Sequence, residues 1–207
     1  MIELVFLLSE VLAEAREEFV FKDKIMKVAK RIIHVMTSDS DKESVIVGVH
    51  ARRGDKLRVW RESGLATKSL GRYEGSFFRY SMDLMRRRYN SGTRKVVFIV
   101  TSDNMTWAKS QLGNSHNDTF YSCDHTRAPP TGPTALGVDL AVLSLAHHTI
   151  MDYGTFGLWA GLLAGGTIIA PVGYTRGNAE SPDMVWWRAA NMSNVELIDI
   201  NNMTRVE

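Results

Sequence analysis

The residues of this chain best suited to chemistry sit where an apolar run breaks into charge, in Val45-Ile46-Val47-Gly48-Val49-His50-Ala51-Arg52-Arg53-Gly54-Asp55. Arginine presents a planar fork of donors that matches phosphate oxygens two at a time, and it stays charged at any physiological pH. Two of them in a row suit a diphosphate. The apolar run ahead of them has the character of a strand buried on both faces, and such strands end at the carboxyl edge of an α/β sheet, where ligands bind. Arg52 and Arg53 could instead be ordinary surface cations. The strand before them, His50 two residues ahead and Asp55 two residues behind favour the functional reading.

Two further clusters fall at equivalent points. Ser102 and Asp103 close the run Val97-Phe98-Ile99-Val100-Thr101 and could line the same cleft. Gly154-Thr155-Phe156-Gly157 lies between a predicted strand and a predicted helix. Backbone N–H groups at a helix start attract phosphate, glycines permit close approach, and Thr155 adds a hydroxyl. Taken alone, that turn is as well explained by helix capping with small residues.

These clusters need a scaffold that brings them together. Helical spacing runs over 3–20 and 22–36, with Asp23 or a neighbour available as a cap and Ile25, Val28, Ile32 and Ile33 as an apolar stripe. Further helices are predicted over 72–90, 104–112 and about 135–146, with another starting at Thr155. Strands are predicted over 95–101, 148–152 and 167–170, with a short one at Phe120-Tyr121-Ser122. Pro129-Pro130-Thr131-Gly132-Pro133 reads as a loop, and the chain after Tyr174 as a looser tail. Strands alternating with helices predict an α/β fold with a Rossmann-like parallel sheet. The boundaries read as a helical segment and linker over 1–44 and a nucleotide-binding domain over 45–207.

The pattern His50-x-Arg52-Arg53-Gly54-Asp55, the block Val97 to Trp107 and the block from Asp139 through Thr149 to Ala160 and Gly165-Gly166 together resemble the donor-site motifs of the galactoside α-1,2-fucosyltransferases, glycosyltransferase family 11. The resemblance runs from about Phe19 to about Tyr174. It implies the C-terminal, donor-binding half of a GT-B-type glycosyltransferase, and GDP-β-L-fucose as donor, bound by His50, Arg52, Arg53, Ser102, Asp103, Asp139, Gly154, Thr155 and Phe156. It implies a galactose-terminated glycan as acceptor and inverting transfer to its 2-hydroxyl. Arg52 would act on the leaving diphosphate and Asp55 as the base, with no cofactor and no metal. Asp139 would accept from the N1–H and N2–H₂ of guanine; by itself it reads rather as a favourable charge at a helix start. The family is typically anchored in the Golgi by one N-terminal span, ahead of a region that helps bind the acceptor. Residues 1–44 would be the remnant of that region. Two other readings stay open: a GDP-fucose enzyme acting on protein Ser/Thr or on the N-glycan core, and a nucleotide-binding remnant without transfer.

Composition narrows the field. With 44% hydrophobic and 23% charged residues the chain is neither disordered nor a membrane bundle. A net charge of +2 is too mild to argue for nucleic acid. Ile2 to Leu8 lacks the length of a span or leader. Arg86-Arg87-Arg88, late in a predicted helix, reads as a solvated face. The lone Cys123 has no partner for an internal disulfide. Four sequons, Asn104, Asn117, Asn191 and Asn202, favour a lumenal glycoprotein. Asp39-Ser40-Asp41 has the form of a metal-binding carboxylate pair, but it precedes a strand, whereas ligand sites in such sheets follow strands. His147 and His148 read as structural, Trp107 and Trp159 as core aromatics. Arg53-Gly54-Asp55 as an integrin tripeptide is disfavoured by the strand directly before it.

Overall fold

A computed structural model describes residues 14–38, 41–54, 70–113, 115–125, 133–173 and 192–206. Its elements are α1 (Asp23–Thr37), β1 (Glu43–Ala51), α2 (Leu70–Tyr89), β2 (Arg94–Ser102), α3 (Met105–Leu112), β3 (Thr119–Tyr121), α4 (Pro133–Ser144), β4 (His148–Met151), α5 (Thr155–Ala164), β5 (Ile168–Val172), β6 (Val195–Asp199) and β7 (Thr204–Val206), with a 3₁₀ turn at Ser122–His125. The strands form one sheet in the order β3-β2-β1-β4-β5-β6-β7. All neighbours pair in parallel except β6 with β7. The fold is α/β, and its first six strands follow the doubly wound order. In that order the chain reverses direction across the sheet between β1 and β4, and the crevice for a ligand opens there.

The central strands are apolar on both sides because helices cover both faces. In β1 every residue from Val45 to Ala51 is buried. Val45, Val47, Val49 and Ala51 meet Phe77, Phe78, Met82 and Met85 of α2, joined by Val96, Phe98 and Val100 of β2. On the other face Ile46, Val97 and Ile99 meet Ala29, Ile32 and Met36 of α1 and Val138, Ala141 and Val142 of α4. Each large side chain so buried contributes about 1.5–3 kcal/mol. A third cluster seats α5 through Leu162 against Met151, Ile168 and Ala170. The stripe predicted for α1 is the face it buries. Lys22 is its N-cap without a side-chain bond, and Asp23 lies in the first turn, where its charge suits the helix dipole.

Three sequence expectations change. The tail after Tyr174 contributes two strands. β6 hides from a pattern reading because Glu196, at a core position, is buried against Arg88 by bonds of 2.6 and 2.9 Å. Asp139 lies in the middle of α4, not at its start, so a helix-end charge does not explain it. The arginine run is only in part a solvated face: Arg87 and Arg88 are exposed, but Arg86 holds Asp118 through two bonds, 2.7 and 2.9 Å, and packs over the Phe98 ring. Only Arg87 projects outward with no such pair among the described residues.

Candidate functional site

The carboxyl ends of β1, β2 and β4 are fastened to one another by carboxylates that take backbone N–H groups. Buried Asp152, just after β4, accepts from the N–H of Arg52 at 2.7 Å and from that of Tyr153 at 2.7 Å. Asp103, just after β2, accepts from the N–H of Arg53 at 2.6 Å and of Gly54 at 2.8 Å. Ser102 donates to the Ala51 carbonyl at 2.6 Å and accepts from the Asn104 N–H. The chain leaving β1 is therefore held from both sides at the switch point. Charge-assisted bonds to backbone N–H are among the stronger hydrogen bonds of a protein, about 1.5–3 kcal/mol each.

Strand alternation then separates the two arginines. Arg52 falls on the α4 and α5 side with His50 and lines a cleft of about 80 Å³. Arg53 falls on the α2 and α3 side, its guanidinium 4.2 Å over the ring of Trp107, a favourable cation–π placement. The two guanidiniums do not converge on one point as their adjacency in sequence suggests. The cleft is completed by His50, Thr101, Leu136, Asp139 and Phe156, with Ser102 and Asp103 at its rim.

His50 and Phe156 pack ring to ring with centroids 4.9 Å apart. Gly157 permits this: a Cβ there would stand 2.8 Å from His50 Nδ1 and 3.0 Å from the Met151 Cβ. The His50 pKa is lowered to about 4, chiefly by burial, with Asp103 opposing and Arg52 adding a smaller push downward. The imidazole is thus neutral at physiological pH and can meet a ligand as a hydrogen-bond partner, not as a cation. Asp139 receives a 2.9 Å bond from Ser122 in the 3₁₀ turn. Its pKa is raised by burial, against which the Ser122 bond acts.

At the other side of the cleft, Gly154 is the N-cap of α5 with φ 105°, a left-handed value that glycine adopts without strain, and having no side chain it leaves the first amides of the helix uncovered by its own atoms. Thr155 is exposed at the first helical position. A helix head of this kind carries partial positive charge beside Arg52. Together these groups offer a cation and amide donors for an anion, apolar Leu136 and Phe156 for a planar or hydrophobic group, and the half-buried Asp139 carboxylate for a pair of donors.

Of the residues nominated from sequence, His50, Arg52, Ser102, Asp103, Asp139 and Phe156 line one cleft, while Gly154 and Thr155 head the adjoining helix. Arg53 lies on the opposite face, and Asp55 falls outside the described residues. Ser102 and Asp103 spend their polar atoms on the β1 turn. Sequence reading overlooked Asp152, Thr101, Leu136 and Ser122. Asp152 had a signal, an acidic residue directly after a strand; a lone hydroxyl or leucine had none. His147 and His148 are structural as expected, since the Nδ1 of each accepts a backbone N–H, from Ile46 and Thr167. Trp107 and Trp159 are partly buried against the core. Asp41 is exposed at the amino edge of the sheet, ahead of β1, and Asp39 is outside the described residues. Among the sequons, Asn117 and Asn202 are exposed, Asn104 caps α3 by accepting from the Trp107 N–H, and Asn191 is outside the described residues. No helix among the described residues is long and apolar enough to cross a membrane.

The family model for glycosyl transferase family 11 matches residues 3–186. Galactoside alpha-(1,2)-fucosyltransferase 2 of Pongo pygmaeus is 33% identical over 162 residues, covering 78% of this chain and 43% of that protein. Galactoside alpha-(1,2)-fucosyltransferase 1 of Sus scrofa is 34% identical over 164 residues, covering 78% of this chain and 41% of that protein. The chain thus spans less than half the length of these relatives. Among solved structures, a glycosyl transferase family 9 protein from Veillonella parvula DSM 2008 aligns with 87% of this chain and 42% of its own, at a TM-score of 0.48 and 11% identity.

Proposed function

The chain belongs to glycosyl transferase family 11, and we propose that it is the donor-binding part, the C-terminal half of a GT-B-type enzyme, of a galactoside α-1,2-fucosyltransferase. In this reading L-fucose passes with inversion from GDP-β-L-fucose to the 2-hydroxyl of a terminal galactoside. The observation that supports it most is the backbone of Arg52 held by buried Asp152 at the switch point, beside the glycine-capped head of α5.

The chemistry follows from those groups. The acceptor hydroxyl attacks the anomeric carbon through a transition state with oxocarbenium character, and the GDP diphosphate leaves. Charge growing on the diphosphate is met by the Arg52 guanidinium, the first amides of α5 and the Thr155 hydroxyl, already oriented before the bond breaks. His50, neutral, contributes a hydrogen bond rather than charge. Asp139 takes the paired donors on the guanine edge, and Phe156 and Leu136 supply apolar surface. Asp55, by its place after the arginines, is the candidate base. This arrangement supplies positive charge from the protein itself, so the transfer is proposed to need no metal. The setting proposed is the Golgi lumen, with the acceptor held largely by other parts of the enzyme.

Transfer from GDP-fucose to a terminal β-galactoside, assayed on this chain and on a longer product that contains it, tests the reading. Fucose should appear on the galactose 2-hydroxyl at the same rate with and without EDTA. Loss in EDTA, restored by Mn²⁺ and abolished by Asp39→Ala, would contradict the metal-free mechanism.

A further inference from the structure

Buried polar groups in folded proteins nearly always find a hydrogen-bond partner, and those that do not need a reason. Thr101 is 1% exposed and lines the cleft, yet its Oγ1 has no hydrogen-bond partner among the described residues. Its neighbour Ser102 is the opposite case, both giving and accepting a bond within the fold. The other hydroxyls in this condition among the described residues, those of Ser44, Ser81 and Thr149, do not line the cleft.

Thr101 also stands at a particular place in the sheet. It pairs in register with His50 and shares the face of Val97 and Ile99, the α4 side. The turn after β3 carries Ser122, which holds Asp139; β1 and β4 carry Arg52 and the head of α5. β2 lies between β3 and β1. A nucleoside diphosphate with its base edge at Asp139 and its phosphates at Arg52 must cross the end of β2 between them, and the part of it that crosses is the sugar.

We propose that Thr101 binds a ribose hydroxyl of the nucleoside diphosphate, its unpartnered hydroxyl completing its hydrogen bonding only in the complex. This rests on the nucleotide site proposed above. It also predicts a separation of stability from binding, because removing a buried hydroxyl that lacks a partner costs the empty fold nothing.

The test is a titration of GDP, 2′,3′-dideoxy-GDP and GDP-fucose into the wild-type chain and into Thr101→Val and Thr101→Ser. Wild type should prefer GDP. Thr101→Val should lose about three- to tenfold on GDP, the scale of one hydrogen bond, and nothing on the dideoxy nucleotide, with a melting temperature equal to wild type or higher. Thr101→Ser should restore the preference. Because the readout is a ratio within each variant, partial misfolding lowers both affinities and leaves it unchanged. Equal loss on both nucleotides, or no loss on either, would overturn the proposal while the nucleotide site stood. A loss seen only with GDP-fucose would move the contact to the transferred sugar and overturn the ribose assignment. Failure of wild type to bind either nucleotide would remove the site and the proposal together.

Discussion

Two arginine clusters, Arg52-Arg53 and Arg86-Arg87-Arg88, look alike in sequence and are put to different uses. At the end of α2 the carboxylates bond the guanidiniums: Asp118 takes Arg86 and Glu196 takes Arg88, each through two bonds. At the end of β1 the carboxylates bond the main chain: Asp152 and Asp103 take the N–H groups of Arg52, Arg53 and Gly54. The first arrangement joins a helix to distant strands. The second fixes the path of the backbone so that Arg52 reaches a cleft and Arg53 reaches Trp107. Side-chain type alone does not distinguish a clamp from a site; what the nearby carboxylates hold does.

The largest expected effect separates the two clusters by stability. Arg86→Ala leaves Asp118 largely buried and uncompensated, and Arg88→Ala does the same to Glu196, whose carboxylate Arg88 holds below its usual range. Removing the partner of a buried charge costs about 3 kcal/mol or more, and less for the Arg88 pair, whose guanidinium is partly exposed. Denaturant unfolding should show that loss, with GDP affinity unchanged in the folded fraction. A weakened GDP affinity would make the α2 cluster part of the site and dissolve the contrast.

Next in size is Arg52→Ala. GDP binding should weaken by more than about 1.5 kcal/mol, the lower range for a charged hydrogen bond. Stability should move by less than about 0.5 kcal/mol, as for a change outside the core. Calorimetry and thermal unfolding on the same sample read both. Arg53→Ala, by contrast, should act on the seating of Trp107.

A smaller effect concerns the base. Asp139→Ala should lower the preference for GDP over ADP by about 1–3 kcal/mol. In wild type the preference requires the ionised carboxylate. Because burial raises the Asp139 pKa, protonation sets in at a higher pH than for an ordinary aspartate. The guanine preference should therefore fade as pH falls, and fade first above the usual carboxylate range. Competition binding that ranks the nucleotides identically in wild type and mutant would reduce Asp139 to a partner of Ser122.

Legibility in the sequence followed the physics of each element. β1 and β2 were plain because strands covered on both faces are continuous apolar runs, and their ends located Arg52, Ser102 and Asp103. Gly154 marked the head of α5 because a left-handed φ suits glycine. The separation of Arg52 from Arg53 was also within reach, since side chains alternate along a strand. β6 was hidden because its core-facing Glu196 is neutralised by a residue 108 positions away, and the Arg86 pair by one 32 away. Thr101 could not be found at all: an unbonded hydroxyl and a bonded one are the same letter.

Hydrogen exchange of the chain with and without GDP sets the two arginine clusters against each other in a single experiment. Exchange should slow in peptides spanning His50 to Gly54 and Asp152 to Leu158, and stay unchanged in those spanning Arg86 to Asn90 and Val195 to Asp199. GDP binding with protection absent from the ends of β1 and β4, or concentrated at the end of α2, would contradict it.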